Sequence, residues 1–450
     1  MEHQEPESLE KIRQQFESSP YPRSPLEQSP KEDYNLLFVH SLVTAYYLRD
    51  QTVISTQGKT ILDAGCGTGY KALTLAEANP GAHIVGVDLS QASVNLAYKR
   101  LDYYGFKDTE FHALPIEDLP KLGMKFDYIN CDEVLYLLPD PLAGLKAMKA
   151  VLKPEGILRC NLHSFYQRIA RYRAQKLFKL MGLMDQNPEA EAINVVVETM
   201  KALKDNTMLK AQTWLPIYEK PDGGAEILCN HLLVGDKGST VVDLFALLAA
   251  ADLEFISMVN WRHWDVADLF KEPDDLPAIW AMSLTAASIQ ERLHLYELLH
   301  PVNRLLDCWC THPDSISSPN PLDTWTDDDW QTAQFHLHPL LQNESVKTDL
   351  INCVTKAQSF EISAYITLPA LGPVMVQSIL AACLLPLWDG PQTTTSLVER
   401  YCQILSHHPV TLEPITPDFA FIELKRLMGQ LSAFLYVLPE RSVSPSSSIM

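Results

Sequence analysis

Thr60-Ile61-Leu62-Asp63-Ala64-Gly65-Cys66-Gly67-Thr68-Gly69-Tyr70 is the stretch on which the fold turns. A short apolar β-rich run gives way to three alternating glycines, and a helical pattern opens at Tyr70. Glycine takes up positive φ and lets a ligand approach the main chain closely. Strand, glycine loop and helix in that order form the first unit of an open α/β sheet. Such sheets bind ligands at the carboxyl ends of their strands. A second strand candidate, His83–Asp88, ends in a carboxylate 23 residues after Gly65. From that place an acidic side chain can accept both hydroxyls of a ribose.

Working outward, residues 60–163 alternate short β-rich runs with amphipathic helical runs. The strand candidates are Thr60–Asp63, His83–Asp88, Glu110–Ala113, Phe126–Cys131 and Gly156–Leu162, with helices opening near Tyr70, Gln91 and Pro141. This pattern predicts a parallel sheet with crossover helices. Tyr34 to Arg49 carries a helical stripe before it. Residues 164–212 read as helical and include the basic run Arg168, Arg171, Arg173, Lys176 and Lys179. A strand is expected at Glu226–Val234, a helix at Val241–Ala251, and strands at Leu253–Val259 and Ala278–Leu284. Leu293–Trp309 reads as an amphipathic helix. Thr311–Ser345, rich in Pro, Ser, Asp and Gln, reads as a loop or linker.

The glycine loop admits more than one ligand. A dinucleotide fingerprint, G-x-G-x-x-G, would put its third glycine at position 70, which is Tyr70; the third glycine here is Gly69. Asp63 stands two residues before the first glycine, where a carboxylate would repel a pyrophosphate but could help to position an ammonium group. A tight turn with no ligand is the plainest alternative. Asp-x-Gly-x-Gly-x-Gly resembles motif I of the class I S-adenosylmethionine-dependent methyltransferases. Residues 60–163 resemble that family throughout, through IEDLP, FDYINCDEVLYLLPDP and LKPEGIL. The resemblance implies a doubly wound, Rossmann-like α/β sheet and S-adenosyl-L-methionine as cofactor. It implies that Asp63, Ala64, Gly65, Cys66, Gly67 and Gly69 hold the methionine part, and that Asp88 with Leu89 holds the ribose. Pro115, Ile116 and Glu117 would lie against the adenine, and Cys131 with Asp132 would floor the site. Many relatives carry an acidic residue at the position of Pro115, so Glu117, Asp118 or main chain must substitute for it.

Methyl transfer from a sulfonium is an in-line displacement in which the cofactor supplies the reactive carbon. Proximity supplies much of the acceleration, and a general base is needed only where the acceptor must lose a proton. No catalytic residue is therefore assigned. The candidates on the acceptor side are Asp132, Tyr136 and His163, with His231. The plain alternative for each is a satisfied polar group at a strand end. KIRQQFESSPYPR resembles an arm that precedes the catalytic core in some bacterial proteins. With Phe16, Tyr21 and its prolines it is either a lid over the cofactor or a tail packed elsewhere. The insert after the fifth strand is placed to cap the acceptor site. Its arginines read as a solvated face rather than an anion site.

The chain has 450 residues, of which 46% are hydrophobic and 20% charged, so it is not mainly disordered. Its net charge of −20 speaks against nucleic acid and anionic membranes as partners. The nine scattered cysteines suit a reducing compartment, and no signal peptide or membrane-spanning stretch is read, so the expectation is a cytoplasmic protein. No metal is expected, because Cys308, Cys310 and His312 lack the paired spacing of a zinc site; a helix end is the better account of them. The expected division is an arm (1–33), a methyltransferase domain (34–290) with a helical cap at about 164–224, a helix and linker (291–345), a mainly helical domain (346–440) and a disordered tail (441–450). That fourth part is similar to winged-helix modules appended to some methyltransferases. It lacks a basic recognition face, so a homodimer or protein contact is expected of it. The function expected is methyl transfer to an unidentified small molecule or protein side chain. The alternative is a non-catalytic S-adenosylmethionine-binding regulatory protein on the same fold.

Overall fold

The computed structural model describes Arg13, Glu17 and residues 20–185, 190–220, 223–315 and 321–441. Phe16 and residues 442–450 of the expected tail lie outside the described residues. Two helices, α1 (Tyr34–His40) and α2 (Leu42–Asp50), open the fold where one was expected. The break at Ser41 is clamped by Asn79: its Oδ1 accepts from the Leu42 amide at 2.7 Å, and its Nδ2 donates to the His40 carbonyl at 2.9 Å. A single side chain thus meets the donor and the acceptor that the break sets free.

Seven strands follow: β1 (Thr60–Ala64), β2 (His83–Asp88), β3 (Thr109–Ala113), β4 (Phe126–Cys131), β5 (Leu152–His163), β6 (Glu254–Met258) and β7 (Leu305–Thr311). They form one sheet in the order β3-β2-β1-β4-β5-β7-β6. β1 to β5 pair in parallel, and β7 runs antiparallel to both β5 and β6. The crossover helices α3 (Tyr70–Ala78), α4 (Gln91–Tyr103) and α5 (Pro141–Val151) begin at the residues read from the sequence. The strand order turns back on either side of β1 and β4. Their carboxyl ends, carrying the glycine loop and Asp132, therefore open a crevice at the switch point.

Between β5 and β6 lie α6 (Phe165–Leu180), α7 (Ala190–Ala202), α8 (Met208–Thr213), α9 (Gly224–Asn230) and α10 (Val241–Ala250). The first four close on a core of their own, formed by Ala174, Phe178, Val196, Met200, Tyr218, Ile227 and Leu232. That core overturns the strand expected at Glu226–Val234. A short apolar run reads as either element, and here packing against α6 and α7 selects the helix. Ala278–Ala286 (α11) is likewise helical rather than extended. The run Leu293–Trp309 is a helix, α12 (Ile289–Leu299), and then the strand β7. Pro301 separates them, since it cannot continue a helix. The expected boundary at 290 falls short, because the strand joining β5 to β6 comes after it.

The polar stretch 311–345 is not a plain linker. It buries Trp325, Trp330, Phe335 and Leu341 and contributes α13 (Asp327–Thr332) and β8 (Gln334–Leu337). β8 is the middle strand of a small antiparallel sheet with β9 (Gln392–Thr393) and β10 (Val437–Glu440). The helices Glu344–Thr355, Ser378–Leu384, Thr394–Ile404 and Pro417–Ser432 pack with it. This region shares one continuous core with α1, α2 and the face of the large sheet, through Phe38, Leu42, Tyr46, Ile61, Tyr128 and Trp309. Tyr47 Oη donates to the Pro439 carbonyl at 2.7 Å. His338 is buried at this seam: its Nδ1 accepts from the Leu340 amide at 3.4 Å, and its Nε2 lies 3.0 Å from Thr44 Oγ1. The Thr44 hydroxyl donates to the Phe38 carbonyl, so the ring is neutral with its proton on Nε2.

Burial holds His338 down to about 3 and His40 down to about 4, below the ordinary histidine value. The unfolded chain therefore binds protons first as the pH falls below about 6.5, so stability is lost on acidification from there towards about 4. Urea unfolding between pH 7 and 4.5 should show this decline. H338Q should reduce its slope by about one proton, or roughly 1.4 kcal/mol per pH unit. Parallel curves for the two proteins would remove His338 from the account.

Candidate active site

Each glycine of the motif is demanded by a different neighbour. Gly65, Gly67 and Gly69 all have positive φ, at 83°, 51° and 82°. A methyl group on Gly65 would strike the Val134 side chain, one on Gly69 the main chain of Ala97 in α4, and one on Gly67 the carbonyl oxygen of Tyr21. The loop's amides are also engaged. Gly65 and Cys66 donate to the Val87 carbonyl at 2.8 and 2.9 Å, and Thr68 donates to the Tyr21 carbonyl at 3.1 Å. The loop is thereby shaped by β2, α4 and the N-terminal arm before any ligand meets it.

A cavity of about 520 Å³ opens over this loop, a size suited to a small-molecule site. Gly65, Cys66, Gly67, Asp88, Leu89, Ile116, Glu117 and Asp132 line it. Five other residues expected at the cofactor do not. Ala64 and Cys131 are buried in the apolar layer beneath, and Gly69 serves the α3–α4 contact. Pro115 stands off the wall, ahead of the short helical turn that begins at Ile116. Asp63 points into the sheet, where its Oδ1 accepts from Asn130 Nδ2 at 2.9 Å. Burial pushes its carboxyl up to about 7, against the pull of that hydrogen bond.

Asp88 is held ready on the wall: its Oδ2 accepts from the Gly67 amide and its Oδ1 from the Ser90 amide, each at 2.9 Å. Burial nevertheless raises its carboxyl above the usual range. Glu117 presents a buried Oε2 that has no hydrogen-bond partner. An orphaned buried acceptor costs about 1–3 kcal/mol unless something donates to it. Leu89, Leu114 and Ile116 lie on the same cavity wall. Two carboxylates and an apolar wall fit the hydroxyls, amino group and ring of an adenosyl moiety.

Asp132 is a fixture of the floor. Lys71 Nζ lies 2.7 Å from its Oδ2, Asn161 Nδ2 donates to its Oδ1 at 2.7 Å, and His40 Nε2 lies 3.6 Å away. Arg159 and Lys71 hold its carboxyl well below the usual carboxylate range against its burial. A carboxylate so tied does not serve as a base. His231 lies among Phe178, Trp214 and Tyr218 in the core of the cap and is absent from the cavity wall. Its removal from the candidates follows from α9 being a helix.

Tyr136 and His163 stand together at the far end of the cavity, their rings stacked with centroids 3.7 Å apart. His163 Nδ1 bonds Asp236 Oδ1 at 2.7 Å, and Arg304 Nη1 approaches Nε2 at 3.3 Å. With its proton on Nδ1, the ring is neutral; burial lowers it further below the ordinary histidine value. Arg168 Nη2 donates to Asp236 Oδ2 at 3.0 Å, and Arg304 forks onto Glu133 at 2.8 and 2.9 Å. Arg168 thus faces the site and is buried, where a solvated face was expected. Glu133, Asp236 and Arg304 went unread in the sequence. Asp236 lies in a Gly-Asp-Lys-Gly turn that could have been noticed. Arg304 carries no local signal, since only β7 brings it to this place.

The matches to known proteins agree with this geometry. A family model described as a methyltransferase domain matches residues 55–220. Residues 55–220 therefore carry a methyltransferase domain, on the class I S-adenosylmethionine-dependent fold. An uncharacterised protein of Synechococcus sp. is 26% identical over 70% of this methyltransferase and 73% of its own length. A ubiquinone biosynthesis O-methyltransferase of Acinetobacter baylyi is 31% identical over 28% of this chain and 50% of its own. A tRNA U34 carboxymethyltransferase of Nautilia profundicola is 40% identical over 23% of this chain and 34% of its own. The chain therefore spans about half, or less, of the length of the characterised relatives it matches. In fold it is similar to PKMT2 from Rickettsia typhi, with a TM-score of 0.60, 17% identity, and coverage of 93% of this chain and 77% of that one. PKMT2 is also known in complex with AdoHcy. S-adenosylmethionine is the cofactor of the family, and the cavity wall around Asp88 and Glu117 fits it.

Asp88→Ala removes the carboxylate that two amides orient towards the cavity. It should weaken binding of S-adenosylhomocysteine by about 1–3 kcal/mol, read by titration calorimetry. Unchanged affinity would take Asp88 out of the cofactor site.

Proposed function

We propose that the chain transfers the methyl group of S-adenosylmethionine to an acceptor that enters beneath the helical cap and reacts through a neutral atom, a cationic amine first giving up its proton. The cap walls the cavity with Arg168, Glu226, Cys229, Asn230 and Leu233, opposite the cofactor's loop. One observation carries the choice of acceptor. Among the described residues, each cation on the cavity wall is matched by a carboxylate: Lys71 by Asp132, Arg168 by Asp236 and Arg304 by Glu133. Asp88, Glu117 and Glu226 line the same wall, and no ion pair to a cation is formed by them among the described residues. A low-dielectric cavity with surplus negative charge favours the sulfonium and disfavours a second anion.

Bound in the cavity, the cofactor would supply an electrophilic methyl group to the acceptor's lone pair. The chain's part is to orient the two and to keep water out. Where the acceptor must give up a proton, the candidate base is neutral His163, backed by Asp236, once the acceptor takes the place of Arg304 at its Nε2. The nine unpaired thiols support a reducing, cytoplasmic setting. Among the described residues, no helix is long and apolar enough to cross a membrane.

The protein incubated with methyl-labelled S-adenosylmethionine and fractionated cell extract should yield a labelled product whose mass identifies a neutral or basic acceptor. A phosphorylated or carboxylated acceptor, methylated at the anionic group, would overturn the acceptor class. Tight binding of S-adenosylhomocysteine with no transfer to any fraction would favour the non-catalytic binder.

A further inference from the structure

Arg100 stands on α4, outside the cavity, and is 4% exposed. Its three hydrogen bonds all go to main-chain carbonyls. Nε donates to Thr68 in the glycine loop at 3.0 Å, Nη1 to Pro25 at 2.8 Å and Nη2 to Ser24 at 2.7 Å. One guanidinium thus joins the motif loop to the strap Pro20–Asp33, which crosses over it. Thr68 adds two bonds to the same strap: its amide donates to the Tyr21 carbonyl at 3.1 Å, and its hydroxyl donates to the Pro22 carbonyl at 2.7 Å. Gly67 lacks a side chain where the Tyr21 carbonyl rests. Tyr21, Pro22 and Ser24 then form part of the cavity wall, beside Gly65, Cys66, Gly67 and Asp88.

Resting on the functional reading above, we propose that Arg100 is a positioning residue for the cofactor. It staples the strap across the glycine loop, so cofactor and spent cofactor exchange only when the strap lifts. The motif loop is held from outside the cavity by groups that touch no ligand. A guanidinium suits the task, because its planar fork serves several carbonyls in fixed directions. Lifting the strap breaks these bonds together, which makes the opening a discrete event.

The test uses the full chain and S-adenosylhomocysteine, and it needs no acceptor. Arg100→Met keeps an aliphatic stem and removes the three donors, together with the guanidinium that lies over the Tyr70 ring. Stopped-flow displacement should show S-adenosylhomocysteine leaving the variant about tenfold faster or more, as the loss of charge-assisted hydrogen bonds implies. Without ligand, hydrogen exchange should show the Thr68 amide, which donates to the Tyr21 carbonyl of the strap, losing protection while β1 and β4 keep theirs. Thr68→Val, which removes only the hydroxyl bond to Pro22, should move both readouts in the same direction by less. It stands in for Arg100→Met should that variant not fold. An unchanged release rate, or a Thr68 amide equally protected in the variants, overturns the staple. Wild-type protein that binds no S-adenosylhomocysteine overturns the functional reading instead, and the exchange measurement still decides whether Arg100 holds the strap.

Discussion

The carboxylate of Asp132 is the constraint on which the site hangs. It ends β4 at the floor of the cavity. It is met by Lys71 from the first turn of α3, Asn161 and Arg159 from β5, and His40 from α1. Arg159 in turn forks onto Asp307 of β7 at 2.7 and 3.1 Å. Four elements of the large sheet and its flanking layer are thereby referred to one buried charge. Taking such charges out of water is expensive, and the arrangement persists because each has a partner within reach. Removing any one member would strand the others, so the network holds the relative places of glycine loop, floor and acceptor end.

Legibility followed the range over which each signal acts. β1, β2 and β4, the starts of α3, α4 and α5, and the role of Asp88 as a strand-end carboxylate all rest on local pattern and turn chemistry. The chain writes these in a dozen residues at a time. What lay hidden depends on partners distant in sequence. β7 looked helical because a strand buried on both faces has no alternation to show, as Leu306, Cys308, Trp309 and Cys310 illustrate. The stretch 311–345 looked like a linker because polar residues outnumber the few tryptophans that anchor it. The motif glycines were read as room for a ligand, and their immediate cause is Val134, Tyr21 and Ala97. A sequence records that a position must be small without saying what presses on it.

The two ends of the cavity also differ in kind. The end proposed for the cofactor is built from the glycine loop, Asp88 at the end of β2 and Glu117 on a short helical turn. The end proposed for the acceptor is built from a stacked Tyr136–His163 pair and paired arginines, with one wall borrowed from a cap that has its own small core. The fold positions the first; the insert alone can alter the second without disturbing the sheet. This division accounts for the family resemblance being densest before residue 164, while the acceptor stays undeclared by it.

The position of β7 carries a consequence for how the chain is made. Arg159 and Asp307 are 148 residues apart, yet they sit on adjacent strands. Until the ribosome has released residues 305–311, β5 is an unpaired edge in a nascent sheet whose glycine loop is already complete. The cap, with its private core, can close in that interval and lie across the exposed end of β5. Late insertion of an antiparallel strand then zips the edge shut and delivers Arg304 to the site in the same step. An open strand edge is a template for unwanted pairing, and contacts this remote form slowly. The long span between β5 and β7 thus makes the unfinished chain, rather than the finished one, the form most exposed to aggregation.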